Sequence, residues 1–277
     1  MSLPGLAPAS HTMPEPSETP SLPSVFDSAL KSYMFAFQDY CLLSAQSVRN
    51  VFTPPVYWLD AMEQMDYIGV GSLVIIVIAF LSIGGVLVLN TASQLQRFGM
   101  AALTGDGVSL ALVRELGPSI TALLVAGRNA SGMASELGSM VVTEQVDAMR
   151  ALGTDPIRKL MTPRVVATVC MMPLLVAVAD FCGLSGGFVV AHFALRLGAV
   201  QFWTRAIHAL DGRDVAQGLV KPVVFGFVIA TVGCYRGLRV EGGTEGVGRA
   251  TTSAVVTSSI VVLITDFFLS KLFLHLL

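Results

Sequence analysis

From Tyr67 to Leu89 the chain runs "YIGVGSLVIIVIAFLSIGGVLVL" without a charged residue, which at about 1.5 Å per residue is long enough to cross roughly 30 Å of hydrocarbon. Four more apolar stretches follow. The second is "RELGPSITALLVAGRNASGMASELGSM", from Arg114 to Met140, and the third runs from about Pro163 to Leu195 through Pro173 and Asp180. The fourth begins at "LVKPVVFGFVIATVGCY", and the fifth is "TTSAVVTSSIVVLITDFFLSKLFLHLL", with Asp266 and Lys271. Ahead of them, Phe26, Leu30, Tyr33, Phe37, Tyr40, Ser44, Val48 and Val51 recur at three-to-four spacing until Pro54-Pro55, which predicts an amphipathic helix. Its modest polar face suits a helix lying in a membrane interface. Tyr57, Trp58 and Tyr67 then form an aromatic cluster expected at headgroup level.

The expected architecture is an all-α integral membrane protein. It has a disordered Pro-rich tail over 1–24, interfacial amphipathic helices over 25–66, and five spans over 67–277. The tail holds six of the thirteen prolines and neither Lys nor Arg, so it does not read as a signal peptide. Composition agrees: 53% of residues are hydrophobic and 13% charged, with mean hydropathy +0.71, against about 25% charged in soluble domains. A net charge of −2 gives no reason to expect nucleic acid.

Orientation is read from Lys and Arg in the connections. With the N-terminus inside, the inner side collects Lys31, Arg49, Arg150, Arg158, Lys159, Arg164, Arg236, Arg239 and Arg249. The outer side collects Arg97, Arg114, Arg196, Arg205, Arg213 and Lys221. The excess favours a cytoplasmic N-terminus.

The second span carries Arg128 and Glu136 where charge is costly. Gly127, Ser131, Ser135 and Ser139 repeat at i+4, beside a second stripe of Ala126, Ala130, Ala134 and Gly138, so other helices can approach closely. Asn129 and Glu136, seven apart, share a face, with Arg128 in reach of that side. The Arg128 and Glu136 charges suit either a structural tie between helices or a transport role. The segment leaves the membrane through Thr143, Glu144, Gln145, Asp147, Arg150, Asp155, Arg158 and Lys159. Gly153 is a helix stop and Asp155-Pro156 a restart, so a helical hairpin at about 143–160 is predicted, polar enough to dock a soluble partner.

Chemistry of its own is not in view. "GGTEGVGRATT" has Gly243 and Gly248 at P-loop spacing, but Arg249-Ala250 replaces the required Lys-Ser/Thr and no strand precedes it. Cys41, Cys170, Cys182 and Cys234 make no CxxC pair, and His11, His192, His208 and His275 are scattered, so neither a disulfide framework nor a metal site is expected. Energy must come from another subunit or from an ion gradient.

The run from Arg114 to Ala167, followed by "LVKPVVFGFVIATVGCYRGL" and "GTEGVGRATTSAVV", resembles the MlaE/YrbE family of ABC-transporter permeases, a likeness covering about Val25 to Leu277. The Pro-rich tail is extra, and "RNASGM" replaces a smaller, more hydrophobic run of many members. The resemblance implies a homodimeric, non-enzymatic permease of the bacterial inner membrane, with two cytoplasmic ATPase subunits that hold ATP and magnesium. It also implies a periplasmic MCE-domain partner and a phospholipid or similar lipid as cargo. Arg114 and Glu115 fall on a charged pair near the family's lipid pocket, and Leu87, Leu95 and Phe98 on its apolar lining. Lys221, Arg249 and Asp266 match further charged positions along the bundle, and the polar hairpin matches the family's coupling helix. Two other classes stay open. One is a proton-coupled transporter using Glu136, Asp180 and Asp266; the other is a membrane scaffold that transports nothing.

Overall fold

A computed structural model describes residues 22–55 and 57–276, all helix and connection. The proline-rich segment before Leu22 lies outside the described residues. Helix α1 (Leu22–Val51) belongs up to Asp39 to one compact unit, and the second unit starts at Tyr40. α2 (Trp58–Arg97), α3 (Ala101–Val142), α5 (Ile157–Ala194), α7 (Gly212–Leu238) and α8 (Gly243–Leu276) are each long and apolar enough to cross a membrane. Two short helices join them: α4 (Gln145–Ala151) and α6 (Ala199–His208).

The stretch 57–66 does not form a separate interfacial helix. It makes the first turns of α2, because Pro54-Pro55 is the last break signal and nothing between Trp58 and Tyr67 interrupts helical pairing. With 40 residues α2 is about 60 Å long, so its ends run past the hydrocarbon. The hairpin forms as the residues dictate. Glu144 at φ 60° and Gly153 at φ 78° close off α4, and Asp155 Oδ1 accepts from the Ile157 amide at 3.0 Å to start α5. The hairpin side of the bundle is called the near face below, and the side where α2 meets α3 the far face.

α2 packs along α5 at glycine level. A Cβ on Gly84 would collide with the Gly183 carbonyl, and one on Gly186 with the Leu81 carbonyl, so the two backbones approach as closely as helices can. α3 and α7 sit at the centre. Phe80, Leu112, Phe225 and Ile229 are fully buried there, and Ala126, Ala130 and Ala134 form the closed seam of α3.

The second small stripe behaves differently. Gly127, Ser135 and Ser139 are exposed and Ser131 half-buried, whereas Gly138 of the first stripe is buried. One stripe therefore packs within the protomer and the other stays open.

Three helical stretches widen into π turns: Leu112–Leu116, Ala126–Ala130 and Ile157–Met161. Each contains at least one charged residue, and each has a backbone carbonyl taken up by a side chain. Lys221 Nζ donates to Arg114 O at 3.0 Å, Ser131 Oγ to Gly127 O at 2.6 Å, and Thr162 Oγ1 to Ile157 O at 3.2 Å. A π turn weakens local pairing and re-aims its side chains, so such uptake is what keeps it in apolar surroundings.

Candidate functional site

The charges gather at the far ends of α3, α7 and α8. Lys221, fully buried on α7, lies 2.7 Å from Glu115 Oε2 and 3.0 Å from Asp266 Oδ1, and donates to Ser270 Oγ at 2.8 Å. Ser119 Oγ donates to Asp266 Oδ2 at 2.6 Å, and Ser270 Oγ to Glu115 at 3.1 Å. Arg114 Nε donates to Asp214 Oδ1 at 2.6 Å, and Asp214 is almost fully buried. One lysine thus counters two carboxylates, an arrangement that holds only while all three partners stay together, because an unpaired charge in this setting is strongly unfavourable.

Local rules explain the placement. Asp211 and Asp214 form a capping box that opens α7, which fixes Asp214 opposite Arg114. Gly218 lets α7 come against the first π turn of α3, where a Cβ would stand 2.8 Å from Val113 O. The network opens on a cavity of about 610 Å³ lined by Arg114, Glu115, Asp211, Arg213, Asp214, Gln217 and Lys271, and by Phe267, Phe273 and Leu274. The side chains of Arg114 and Glu115 are each about half exposed toward it.

This differs in three ways from the sequence expectation. Arg114 and Lys221 are not loop charges of the far face but lie within helices, as Arg164 does on the near face. Leu87, Leu95 and Phe98 do not line the cavity: α2 packs on α5, Leu87 joins the core, and Phe98 caps α2 with 77% of its surface exposed. The apolar wall of this single-chain cavity comes from α8, through Phe267, Phe273 and Leu274. Arg249 is remote from the network, paired with Glu245 at 3.1 Å near the start of α8.

Arg128 and Glu136 do not pair with each other. Eight residues separate them by about 12 Å along the helix, and each finds a partner elsewhere. Arg128 donates to Tyr67 O at 3.1 Å, Ser72 Oγ at 3.1 Å and Asn129 Oδ1 at 3.2 Å, with its guanidinium over the Tyr67 ring. Glu136 lies 2.7 Å from buried Arg164 of α5. Of the three acids a proton relay would use, Glu136 and Asp266 are ion-paired, Asp266 through Oδ1 to Lys221, whereas the buried Oδ1 of Asp180 has no hydrogen-bond partner among the described residues.

On the hairpin, Asp147 and Arg150 pair with each other on an exposed surface, and Glu144 is exposed beside them. Thr143 donates to Ser139 O and accepts from Gln145. Arg158 turns inward instead, donating to Pro54 O, Thr53 Oγ1 and Asn50 Oδ1. Lys159 pairs with Asp60, and Gln46 donates to Asp155. These three therefore fasten the hairpin to the end of α1 and the start of α2.

The sequence profile of the family described as Permease MlaE matches residues 61–272, which contain every residue of this network and the whole hairpin. The chain belongs to the MlaE permease family. It is 41% identical over 234 residues to a probable ABC transporter permease protein of Rickettsia felis, covering 84% of this chain and 90% of the relative. It is 35% identical over 212 residues to the intermembrane phospholipid transport system permease protein MlaE of Haemophilus influenzae, covering 76% and 81%. The chloroplastic protein TRIGALACTOSYLDIACYLGLYCEROL 1 of Arabidopsis thaliana is 33% identical over 232 residues, covering 84% of this chain and 66% of the relative. As an MlaE-family permease the chain is a multi-pass membrane protein, the non-catalytic transmembrane part of an ABC transporter.

Sequence reasoning did not reach Asp214, Ser119, Ser270 and Gln217. Their signal was present: Glu115/Ser119, Gln217/Lys221 and Asp266/Ser270 are each i, i+4 polar pairs, one on each of three spans.

Proposed function

We propose that this chain is the permease subunit of an ABC transporter that moves a phospholipid, or a lipid of similar build, through the far-face cavity. The observation that carries the reading is that one cavity joins fixed charges to an aromatic and aliphatic wall. Arg114, Arg213 and Lys271 are suited to a phosphate-bearing headgroup, and Phe267, Phe273 and Leu274 to the chains. The name of the Haemophilus relative points to the same cargo. In this reading the protein works in a bacterial inner membrane, with the near face and N-terminus cytoplasmic. Two ATPase subunits dock on α4 and carry the ATP and magnesium, and an MCE-domain channel meets the far face. A second copy of the chain packs on the open Gly127, Ser131 and Ser135 stripe.

Closure of the ATPases moves the hairpin, and α3 carries that motion to Arg114 and Glu115. The test is ATP-dependent transfer of a fluorescent phospholipid by the purified chain with its co-purifying ATPase, reconstituted in vesicles, with mass spectrometry of the retained lipid. Arg114→Ala and Glu115→Ala proteins should assemble but transfer about tenfold or more slowly, the loss expected for a charge-assisted contact. Wild-type transfer by both variants would overturn the assignment. Transfer that survives without an ATPase and collapses with the proton gradient would favour a proton-coupled carrier.

A further inference from the structure

A second polar cavity lies at the near face, between the end of α7 and the start of α8, and the far-face reading makes no use of it. Its volume is about 380 Å³, and Arg236, Arg239 and Arg249 all line it, against the single carboxylate of Glu241. Two of the guanidinium groups are held by weak partners. Arg236 Nη2 donates to the neutral hydroxyl of Thr257 at 3.2 Å, and Arg249 pairs with Glu245 in a solvent-exposed i, i+4 contact of little strength. Arg239 lies over the Tyr235 ring, 5.3 Å from its centroid, and that ring also lines the cavity. The result is an open concavity with surplus positive charge.

The cavity does not end at the arginines. Through Arg249 and Ser253 it continues into a groove of about 700 Å³ along α8, walled by Glu245 at its mouth, beside Arg249, and by Gly248, Thr252, Val256 and Thr257. From Val256 in the groove, α8 goes on to expose Ile260, Leu263 and Ile264, an apolar strip reaching into the span. A free anion would use the arginines and leave the strip unexplained. An acidic protein segment would find its apolar neighbour buried at membrane depth. A molecule with an anionic head and an apolar tail uses both, and arginines with a tyrosine at a span end sit where headgroups lie.

We propose that Arg236, Arg239 and Arg249 form a binding site for the phosphate of an anionic phospholipid from the near-face leaflet, with its chains along α8. The site is separate from the far-face cavity, and the inference rests on the lipid reading above only for the choice of ligand. It gives the permease a place to hold lipid at the side opposite Arg114.

The test uses the full chain with its co-purifying subunits in nanodiscs of phosphatidylcholine doped with phosphatidylglycerol. The phosphatidylglycerol retained after transfer to detergent is counted by native mass spectrometry. Arg236→Gln/Arg249→Gln should lower retained phosphatidylglycerol by about tenfold or more and leave phosphatidylcholine unchanged. Arg249→Gln alone, at an exposed position, should show a smaller loss, and Arg236→Lys should recover part of it. Arg114→Ala should keep this retention even where transfer fails, so failure of the far-face reading is distinguishable from failure of this one. Unchanged retention in the double variant overturns the proposal. Displacement of the lipid by inorganic phosphate as readily as by phosphatidylglycerol reduces the cavity to a simple anion site and overturns it too. Loss of the ATPase subunit with lipid retained assigns the arginines to protein docking and has the same consequence.

Discussion

Two halves of α3 put charge into the membrane and treat it in opposite ways. In the near half, Arg128 is spent on a carbonyl, a hydroxyl, an amide and a ring, and Glu136 on an arginine that is itself buried. In the far half, Arg114 and Glu115 are tied to Asp214 and Lys221 yet keep about half of their side-chain surface open to a large cavity. Both halves carry a π turn and an arginine, so residue type and local geometry do not separate them. What separates them is whether the paired charges still face a space a ligand can enter. Exposure does not separate them, since Glu136 keeps about as much side-chain surface open as Glu115; Arg114 and Glu115 line the large cavity, whereas Glu136 ties α3 to buried Arg164 of α5.

The largest expected effect that would break this contrast is at Lys221. Lys221→Met leaves Glu115 and Asp266 without their counter-charge and should cost about 3–5 kcal/mol, read as loss of folded dodecylmaltoside-purified protein on heating. The triple variant that adds Glu115→Gln and Asp266→Asn to Lys221→Met leaves no charge unpaired and should recover much of it. On the near side, Glu136→Ala strands buried Arg164 and should cost a comparable amount, yet survivors should transfer lipid at the wild-type rate per folded molecule. Slowed transfer there would place Glu136 in the path after all. Arg114→Ala strands buried Asp214 and should cost a similar amount in melting, but its survivors, unlike those of Glu136→Ala, should transfer lipid slowly, as given above. Arg128→Lys loses the planar fork and most of the ring contact and should cost about 1 kcal/mol in melting without touching transfer. Smallest is Asp147→Asn on α4, within about 0.5 kcal/mol because the pair with Arg150 is exposed. A drop in ATPase co-purification would mark this surface as the docking face.

The five spans were legible because each is a long apolar run, and the hairpin because Gly153 and Asp155-Pro156 punctuate it. The inward turn of Arg158 and Lys159 was not, since their partners Asn50, Thr53 and Asp60 lie about a hundred residues away. The sequence did not show that Arg128 and Glu136 find their partners on different helices, Arg128 at Tyr67 and Ser72 of α2 and Glu136 at Arg164 of α5. α6 escaped notice because only Phe202 and Ala206 of its ten residues are buried, against the start of α3, while Val200 and Ile207 stay exposed. The π turns leave no mark in composition. The charged network was half visible, in that its members stand as i, i+4 pairs on three spans, but which spans meet is decided by glycines such as Gly218 and not by the charges.

The two π turns of α3 have a mechanical consequence. Each stores one surplus residue in an otherwise regular rod, and such a surplus can migrate along a helix as neighbouring carbonyls trade donors. As it moves, each residue it passes turns by about 100° while the rod on either side keeps its bearing. Arg114 and Glu115 sit inside one of these joints, so a modest axial load from the hairpin could be read out at the cavity as a change of bearing, with the Lys221 ammonium on Arg114 O as the latch that must slip first.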